Sequence, residues 1–480
     1  MNYRMLGYLF GILMTIEAAL LTLPMVTAAI YRESCLPFLY TIALLLAVAI
    51  PLILLRPRRD RRFYAREGFV CAAGIWVILS LFGALPFVFG GAIPNYIDAL
   101  FETVSGFTTT GASILSEIES LPRGILLWRS LTHWVGGMGV LVFMLAILPA
   151  DNSRSMHLLR AEVPGPTKGK LVPKLRETAR ILYGIYLALS ALELAALLCT
   201  GMPLYDSLVT TMATAGTGGF SVLNTSIAGY ANPAAEWIIA IFMLLFGINF
   251  NLYFFLLIGQ FRNILKSEEL RAYLVIILGA TGVIVWNTLT LFDNFGDALR
   301  TAFFQVTSII STTGFATTDF NLWPTLSKAV LLVLMVIGAS AGSTAGGLKV
   351  SRVILLFKNA IRELKHTLRP RSINVIRLDG ELIPEETART TSNYLVLYFG
   401  IFLVSSLLIS ADGQTVETTL TASLTCLNNV GPGLGAVGPV GNFAGFSAFS
   451  KIILSLEMLV GRLEIIPMLV LFSPFTWKKM

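Results

Sequence analysis

Apolar runs of about 20 residues recur from one end of this chain to the other, and that recurrence constrains the fold more than any other feature. A bilayer core about 30 Å thick is crossed by a helix of about 20 residues, which satisfies every backbone polar group internally. The runs lie near 5–30, 36–55, 68–90, 124–149, 179–201, 235–261, 270–292, 326–357, 391–411 and 446–472, giving ten predicted spans. The first, Leu6 to Ile30, exceeds the core of about 7–15 residues of a signal peptide and runs straight into another apolar segment. It is retained as a membrane helix.

Composition removes the main alternatives. Of 480 residues, 55% are hydrophobic and 13% charged, against about 25% charged in a soluble domain. Too little charge remains to cover a globular core, so a cytosolic enzyme is excluded. The net charge of +7 invites a nucleic-acid reading, but the basic residues occupy gaps between apolar runs rather than one folded surface. Cys35, Cys71, Cys199 and Cys426 show no C-x-x-C spacing, so neither a disulfide framework nor a zinc site is expected. His133, His157 and His366 form no metal-binding motif, and a buried structural role is expected for each.

Lys and Arg resist translocation and collect on the cytoplasmic side. The gap after the second run holds Arg56, Arg58, Arg59, Arg61, Arg62 and Arg66. Further basic gaps carry Arg154 to Arg180, then Arg262, Lys266 and Arg271, then Lys358 to Arg389. All four fall on one side, and an even number of spans puts both termini there with Lys478 and Lys479. The opposite gaps contain Asp98, Glu102, Glu117, Glu119, Asp206, Asp297, Asp319, Asp412 and Glu417. Such an acidic outer face concentrates cations.

The outer gaps after spans three, five, seven and nine repeat one pattern. Each opens with a helix of about three turns, beginning near Asp98, Asp206, Asp297 or Glu417, where an acid suits the positive end of the helix dipole. Each then enters a small polar segment: Ser105 to Ser113, Ala215 to Ser221, Ser311 to Ala316, and Asn428 to Gly433. Gly111, Gly218, Gly314 and Gly431 fall at matching places. The second turn holds three glycines, so Gly216 and Gly219 compete with Gly218, and in the fourth turn Gly433 competes with Gly431.

A repeated unit decides architecture before any single motif does. Each unit crosses the membrane twice, so successive units enter in parallel, unlike the inverted repeats of many carriers. The expected fold is an all-α membrane protein of ten transmembrane helices, with four parallel helix–pore-loop–helix repeats around a central pore plus two extra N-terminal helices. The units divide as residues 1–66 for the extra pair, 67–150, 151–262, 263–362 with a broken second helix, and 363–480.

Non-helical backbone at membrane depth must be buried in protein or line a watery cavity. Four such segments around one axis can turn carbonyl oxygens inward and replace the water shell of a cation. The short helices aim the negative ends of their dipoles the same way. Thr108, Thr109, Thr110, Thr217, Thr312 and Thr313 would add carbonyls, or hold the turns through hydroxyls. Any one glycine cluster alone is better read as small-residue helix packing. Four in matching positions favour the pore.

At these residues the sequence resembles the Trk/Ktr/HKT superfamily of potassium transporters, over about residues 68–472. The extra helix pair makes it similar to the bacterial TrkH/TrkG branch. Further matching stretches are His133-Trp134-Val135-Gly136-Gly137-Met138-Gly139, Gly338 to Lys349, and Gly461-Arg462. The resemblance implies a potassium filter of Thr109, Thr110, Gly111, Thr217, Gly218, Thr312, Thr313, Gly314, Asn429, Val430 and Gly431. It also implies an intramembrane gate at Gly342, Ser343, Thr344, Ala345, Gly346 and Gly347, with Lys349 and Arg462. A homodimer in the bacterial inner membrane is implied, opened by a cytosolic TrkA-like regulatory subunit that binds a nucleotide (ATP/ADP or NAD).

The glycines at 342–347 interrupt a span, at about 1 kcal/mol each relative to alanine. Packing is the plainer reading, gating the functional one. Arg462 lies in an apolar span, where a charge by default marks function; structural pairing with Glu457 or Glu464 is the alternative. Lys349 either holds the loop or snorkels to the interface. Gly338-Ala339-Ser340-Ala341 faintly resembles an intramembrane protease motif but lacks a histidine at the same depth. The glycines up to Lys349 lack the order of a phosphate loop, so no cofactor is expected on the chain itself. The sequence therefore predicts potassium uptake through a channel-like pore and no enzyme. A proton- or sodium-coupled symporter working by alternating access is the rival, and it calls for a midplane acid. A non-transporting scaffold would have no reason to keep four turns in register.

Overall fold

The computed structural model describes residues 1–55, 65–139, 175–371 and 374–477. Most of the arginines of the first inner gap, and the gap from 140 to 174, lie outside the described residues. So does the second half of the predicted span 124–149. The chain is mostly helical, with one small antiparallel hairpin, β1 (Arg377–Leu378) and β2 (Glu381–Leu382), pairing Arg377 with Leu382.

The helices fall into a long outer class and a short inner one. The N-terminal pair is α1 (Tyr3–Leu20) with α2 (Thr22–Ile30), packed on α3 (Leu36–Leu54). The first unit follows as α4 (Ala65–Gly83), α5 (Leu85–Phe89), α6 (Tyr96–Phe107) and α7 (Arg123–Gly137). The second comprises α8 (Leu175–Cys199), α9 (Leu204–Gly216), α10 (Pro233–Phe246), α11 (Phe250–Leu257) and α12 (Phe261–Lys266). The third has α13 (Glu268–Thr288), α14 (Phe295–Ile310), α15 (Thr325–Ile337) and α16 (Val350–Leu368). The fourth has α17 (Glu385–Ile409), α18 (Val416–Asn428), α19 (Ala448–Arg462), α20 (Ile466–Phe472) and α21 (Pro474–Trp477).

Among the described residues, six helical stretches are long and apolar enough to cross a membrane: Tyr3–Ile30, Leu36–Leu54, Glu67–Phe89, Glu177–Cys199, Glu268–Leu291 and Glu385–Asp412. The pair α10 and α11, bent by 90°, makes a seventh if its two halves are counted as one span. The outer helices invert the pattern of a soluble protein. Leu187, Leu192, Val275, Leu278, Trp286, Val396, Leu403 and Leu407 are exposed, an apolar rim suited to lipid.

Among the described residues, three of the predicted runs are interrupted by three or more non-helical residues between two helices. The run 326–357 stops at Gly338 and resumes at Val350, because Gly338, Gly342 and Gly347 all adopt positive φ. The run 446–472 breaks at Leu463–Ile465, where Glu464 and Ile465 have positive φ. The run 235–261 breaks at Gly247–Asn249, and Asn249 caps α11 by accepting from the Asn251 N–H at 3.0 Å. The freed groups there are satisfied by a distant segment: Ser340 N–H donates to Gly247 O at 3.1 Å, Phe250 N–H to Gly342 O at 3.0 Å, and Thr344 Oγ1 to Phe246 O at 3.3 Å. Two interrupted stretches thus complete each other's backbone bonding, as buried irregular chain in a membrane must.

The short helices α6, α9, α14 and α18 form the buried centre. Asn95, Asn294 and Thr415 cap three of them with side-chain oxygens, and Pro203 heads the fourth. Such caps satisfy N–H groups that a helix leaves open at its start.

Polar clamps fasten successive units. Arg129 Nη1 of the first donates to Ser221 O of the second at 3.0 Å. Arg300 of the third pairs with Glu236 of the second at 2.8 Å. Asn321 and Gly435 join third to fourth by two bonds of 3.1 and 3.3 Å. Lys451 of the fourth reaches Asp98 of the first at 2.7 Å, so the order of contact closes on itself.

Candidate functional site

All four short helices end in one way. The N–H groups of Thr109, Thr217, Thr312 and Asn429 donate to Gly106, Thr214, Ile309 and Cys426, at 3.0, 2.9, 3.1 and 3.3 Å. The next residues, Thr110, Gly218, Thr313 and Val430, donate to Ser105, Ala213, Ser308 and Thr425, at 2.8, 2.8, 2.9 and 3.0 Å. This is the paired bonding of a Schellman C-terminus, which places its turning residue in the left-handed region. Thr109, Thr217, Thr312 and Asn429 have φ of 55°, 55°, 56° and 56°. Glycine is the usual occupant, and a β-branched threonine there is strained. Three such threonines at matching positions show that the surrounding packing holds the strained backbone in place.

One residue further on from each second bond comes a glycine with φ of 79°, 77°, 83° or 98°: Gly111, Gly219, Gly314 and Gly431. The sequence register of the second turn is therefore corrected by one residue. Gly219 matches Gly111, and Gly218 occupies the place held by Thr110, Thr313 and Val430. Three glycines among the four positions 216–219 carry too little side chain for sequence spacing to fix the register. Gly433 lies outside this set, its N–H bonded to Val437 O at 2.7 Å.

The four glycines close a ring. A Cβ placed on Gly111 would lie 2.0 Å from Gly218 O, on Gly219 2.0 Å from Thr313 O, on Gly314 2.1 Å from Val430 O, and on Gly431 2.7 Å from Thr110 O. Each turn presses a carbonyl oxygen against the glycine of its neighbour. No other residue type leaves room for that approach.

Side chains hold the ring from outside. Thr108 and Thr110 share a hydroxyl bond of 2.8 Å, and Ser311 and Thr313 one of 2.7 Å. Asn429 Nδ2 donates to Thr110 Oγ1 and to Met458 O, both at 2.9 Å. Gly136 and Gly461 let their helices touch the ends of α6 and α18, since a Cβ on either would lie 1.9 Å from Phe107 O or 2.1 Å from Leu427 O. Glu102, read from sequence as an outer acid, is buried instead. It receives Arg129 Nε at 2.6 Å, Ser113 Oγ at 3.0 Å and the Ile114 N–H at 3.0 Å, tying α6 to the segment that follows its turn. Nothing in its spacing separates it from an exposed acid.

The loop 338–349 packs against this ring. Gly346 N–H donates to Thr312 Oγ1 at 2.7 Å, and Gly347 N–H to Asn428 O at 3.1 Å. Arg462 Nη1 donates to Thr344 O at 2.7 Å, and its Nη2 to Gly136 O at 2.6 Å and Gly137 O at 2.8 Å. The guanidinium thus joins the fourth unit, the loop and the C-terminal end of α7, whose dipole favours a cation. Glu464 pairs with Arg352 at 2.5 Å and Glu457 accepts from Ser423 Oγ at 2.6 Å. Lys349 is buried, and its ammonium bonds Ala345 O within the loop rather than snorkelling. Glu269 Oε1 accepts from the Ala341 N–H at 2.7 Å and the Ser351 N–H at 3.1 Å, anchoring both ends of the loop. In sequence it reads only as an acid in the first turn of α13, where Ser267 caps. A cavity of about 100 Å³ lies against the loop, lined by Trp76, Met138, Phe250, Ser343, Lys349, Tyr394 and Arg462 among others. It has room for several waters.

A family model described as TrkH, cation transport protein, matches residues 37–479. The chain belongs to the TrkH cation transport family. Relatives include the Trk system potassium uptake protein TrkH of Salmonella typhimurium and that of Escherichia coli K12, each 38% identical over the whole of both chains. The Trk system potassium uptake protein TrkG of Escherichia coli K12 is 32% identical over 99% of each chain. The crystal structure of the potassium transporter TrkH from Vibrio parahaemolyticus superposes with a TM-score of 0.89 at 32% identity, covering all of both chains. These relatives are named as transporters rather than enzymes, and the TrkH family fold agrees with the apolar helices described above.

Proposed function

We propose that the chain takes up potassium through one central pore whose filter is the ring of Gly111, Gly219, Gly314 and Gly431 with the carbonyls that precede them. The observation that carries this reading is the closure of four equivalent turns, each packing a carbonyl against the next glycine. Carbonyls so held replace the hydration shell of a cation without reorganising. The C-terminal ends of α6, α9, α14 and α18 add partial negative charge. Thr109, Thr217, Thr312 and Asn429 stand one step before the carbonyl-bearing residues and hold the turns through their strained conformation and polar side chains.

In this reading ten spans form four parallel units around the pore, with both termini in the cytoplasm of a bacterial cell and the membrane being the inner one. The loop 342–347 gates the path below the filter. Arg462 and Lys349 place positive charge there and hold the loop by carbonyl bonds. A homodimer and a cytosolic TrkA-like subunit carrying ATP/ADP or NAD complete the system, with the basic inner gaps as docking face.

Uptake of radioactive rubidium into proteoliposomes tests the pore. Uptake competed by K⁺ far better than by Na⁺ is expected, and no uptake with nucleotide-loaded regulatory subunit present would overturn the reading. A coupled carrier has its own support in Glu17, Glu193 and Glu457, carboxyls buried within the helices, since intramembrane acids serve proton relays in pumps. A reversal potential displaced from that of K⁺ by a pH gradient would favour it.

A further inference from the structure

We propose that His133 is a positioning residue for the second filter turn, supplying from α7 the side chain that Gly218 lacks. The inference deepens the pore reading and rests on it.

The four turns are alike in backbone but not in what stands behind them. In the first and third, the carbonyl-bearing residue is a threonine whose hydroxyl pairs with Thr108 or Ser311. In the fourth it is Val430, fully buried. In the second, the corresponding residues are Gly218 and Gly216, which bring no side chain at all. The space is filled from another unit. A Cβ on Gly218 would lie 2.3 Å from Cγ and Nδ1 of His133 and 2.5 Å from its Cε1, in steric overlap with the imidazole ring. A Cβ on Gly216 would lie 2.2 Å from His133 O. Ring and glycine are therefore a matched pair.

The imidazole is itself held in place. It is fully buried and stacks on Phe220, with centroids 4.0 Å apart and an interplanar angle of 21°. Phe220 directly follows Gly219, so the stack grips the filter segment on both sides of the ring glycine. The same phenyl ring carries the Arg129 guanidinium 3.6 Å from its centroid, and Arg129 is fixed by Glu102 and Ser221 O. A continuous line of contacts thus runs from α6 through Glu102, Arg129, Phe220 and His133 to Gly218, whose carbonyl faces Gly111. Plain space-filling would need only an apolar ring. What the geometry adds is dependence of the carbonyl's position on this one side chain, and that makes selectivity the readout.

The pair offers a rescue. Gly218 is outside the left-handed region, so a threonine fits its backbone as it does at 110 and 313. In proteoliposomes of the full-length chain with the nucleotide-loaded regulatory subunit present, the rubidium-to-sodium uptake ratio is measured for wild type, His133→Ala, Gly218→Thr and the double variant. Each single change is expected to lower the ratio about tenfold, one by vacating the space and the other by overfilling it, within the range of coupling between touching residues. The double variant is expected to recover most of the ratio. A double variant no better than the product of the singles, or His133→Ala with a wild-type ratio, overturns the proposal. If a single variant fails to assemble, the double decides: assembled and selective supports the pair, unassembled or unselective overturns it. A wild type that takes up no rubidium sinks the pore reading, whereas a selective wild type with an additive cycle sinks only the role of His133.

Discussion

The four glycine turns and the loop 338–349 are both irregular backbone buried among helices, yet they satisfy their polar groups in different ways. Each filter turn closes on its own helix through two short-range bonds, and its neighbours contribute close packing. The loop closes its base locally, through the Leu348 and Lys349 N–H groups on Val336 O and Ile337 O, but its middle also bonds outward, to Gly247, Phe250, Thr312, Asn428, Arg462 and Glu269, which belong to three units. A segment bonded locally keeps its shape when its surroundings move. A segment bonded remotely can exchange partners, which is the property the proposed gate needs beside the proposed filter.

The comparison breaks first if the ring tolerates a side chain. Gly219→Ala puts a Cβ 2.0 Å from Thr313 O at a φ of 77°. The backbone penalty of about 1–2 kcal/mol and overpacking of about 1–3 kcal/mol together correspond to roughly a hundredfold loss. Rubidium uptake should fall by that much, in a His133→Ala background as well, because the obstacle is main chain. Wild-type uptake would show that the ring is not the filter.

Next in size is the loop. Arg462→Ala removes three charge-assisted bonds, each worth about 1.5–3 kcal/mol. Uptake without the regulatory subunit should rise about tenfold while the rubidium-to-sodium ratio stays unchanged. A changed ratio with unchanged rate would reverse the assignment of filter and gate. Glu269→Gln keeps an acceptor for Ala341 and Ser351 but removes its charge, and basal uptake should rise about twofold, consistent with weakening of a bond to a charged group. Smallest is the seam at Lys451 and Asp98. Asp98→Asn should lower the thermal midpoint in detergent by about 2 °C, consistent with a partly exposed pair worth about 1 kcal/mol, and leave the ratio alone. A shift in selectivity there would show that the clamps between units tune the ring.

Much of this was legible from sequence because the repeat carries it. The short helices begin at Tyr96, Leu204, Phe295 and Val416, each within two residues of the acid that signals it. The interruption after Ile337 was visible in its glycines. What stayed hidden depends on tertiary approach. The bend at Gly247–Asn249 shows in sequence only as one glycine and two asparagines, Asn249 and Asn251, in an otherwise apolar run, and its freed backbone groups are bonded by the loop 338–344. The register of the second turn could not be read where Gly216, Gly218 and Gly219 leave no side chains to align. Glu102 and Glu269 look like ordinary helix-start or surface acids until their partners, Arg129 and the loop N–H groups, are brought to them.

In the proposed pore, one chain selects its cation with a ring of four carbonyl-bearing turns. That selection is tested most directly at Gly314, whose register is the same in sequence and structure and whose Cβ would meet Val430 O at 2.1 Å. The measurement is the rubidium-to-sodium uptake ratio of Gly314→Ser against wild type, in proteoliposomes with the regulatory subunit present. The account predicts a fall of about tenfold or more as one quarter of the ring is displaced. An unchanged ratio, with the variant assembled and conducting, would contradict it.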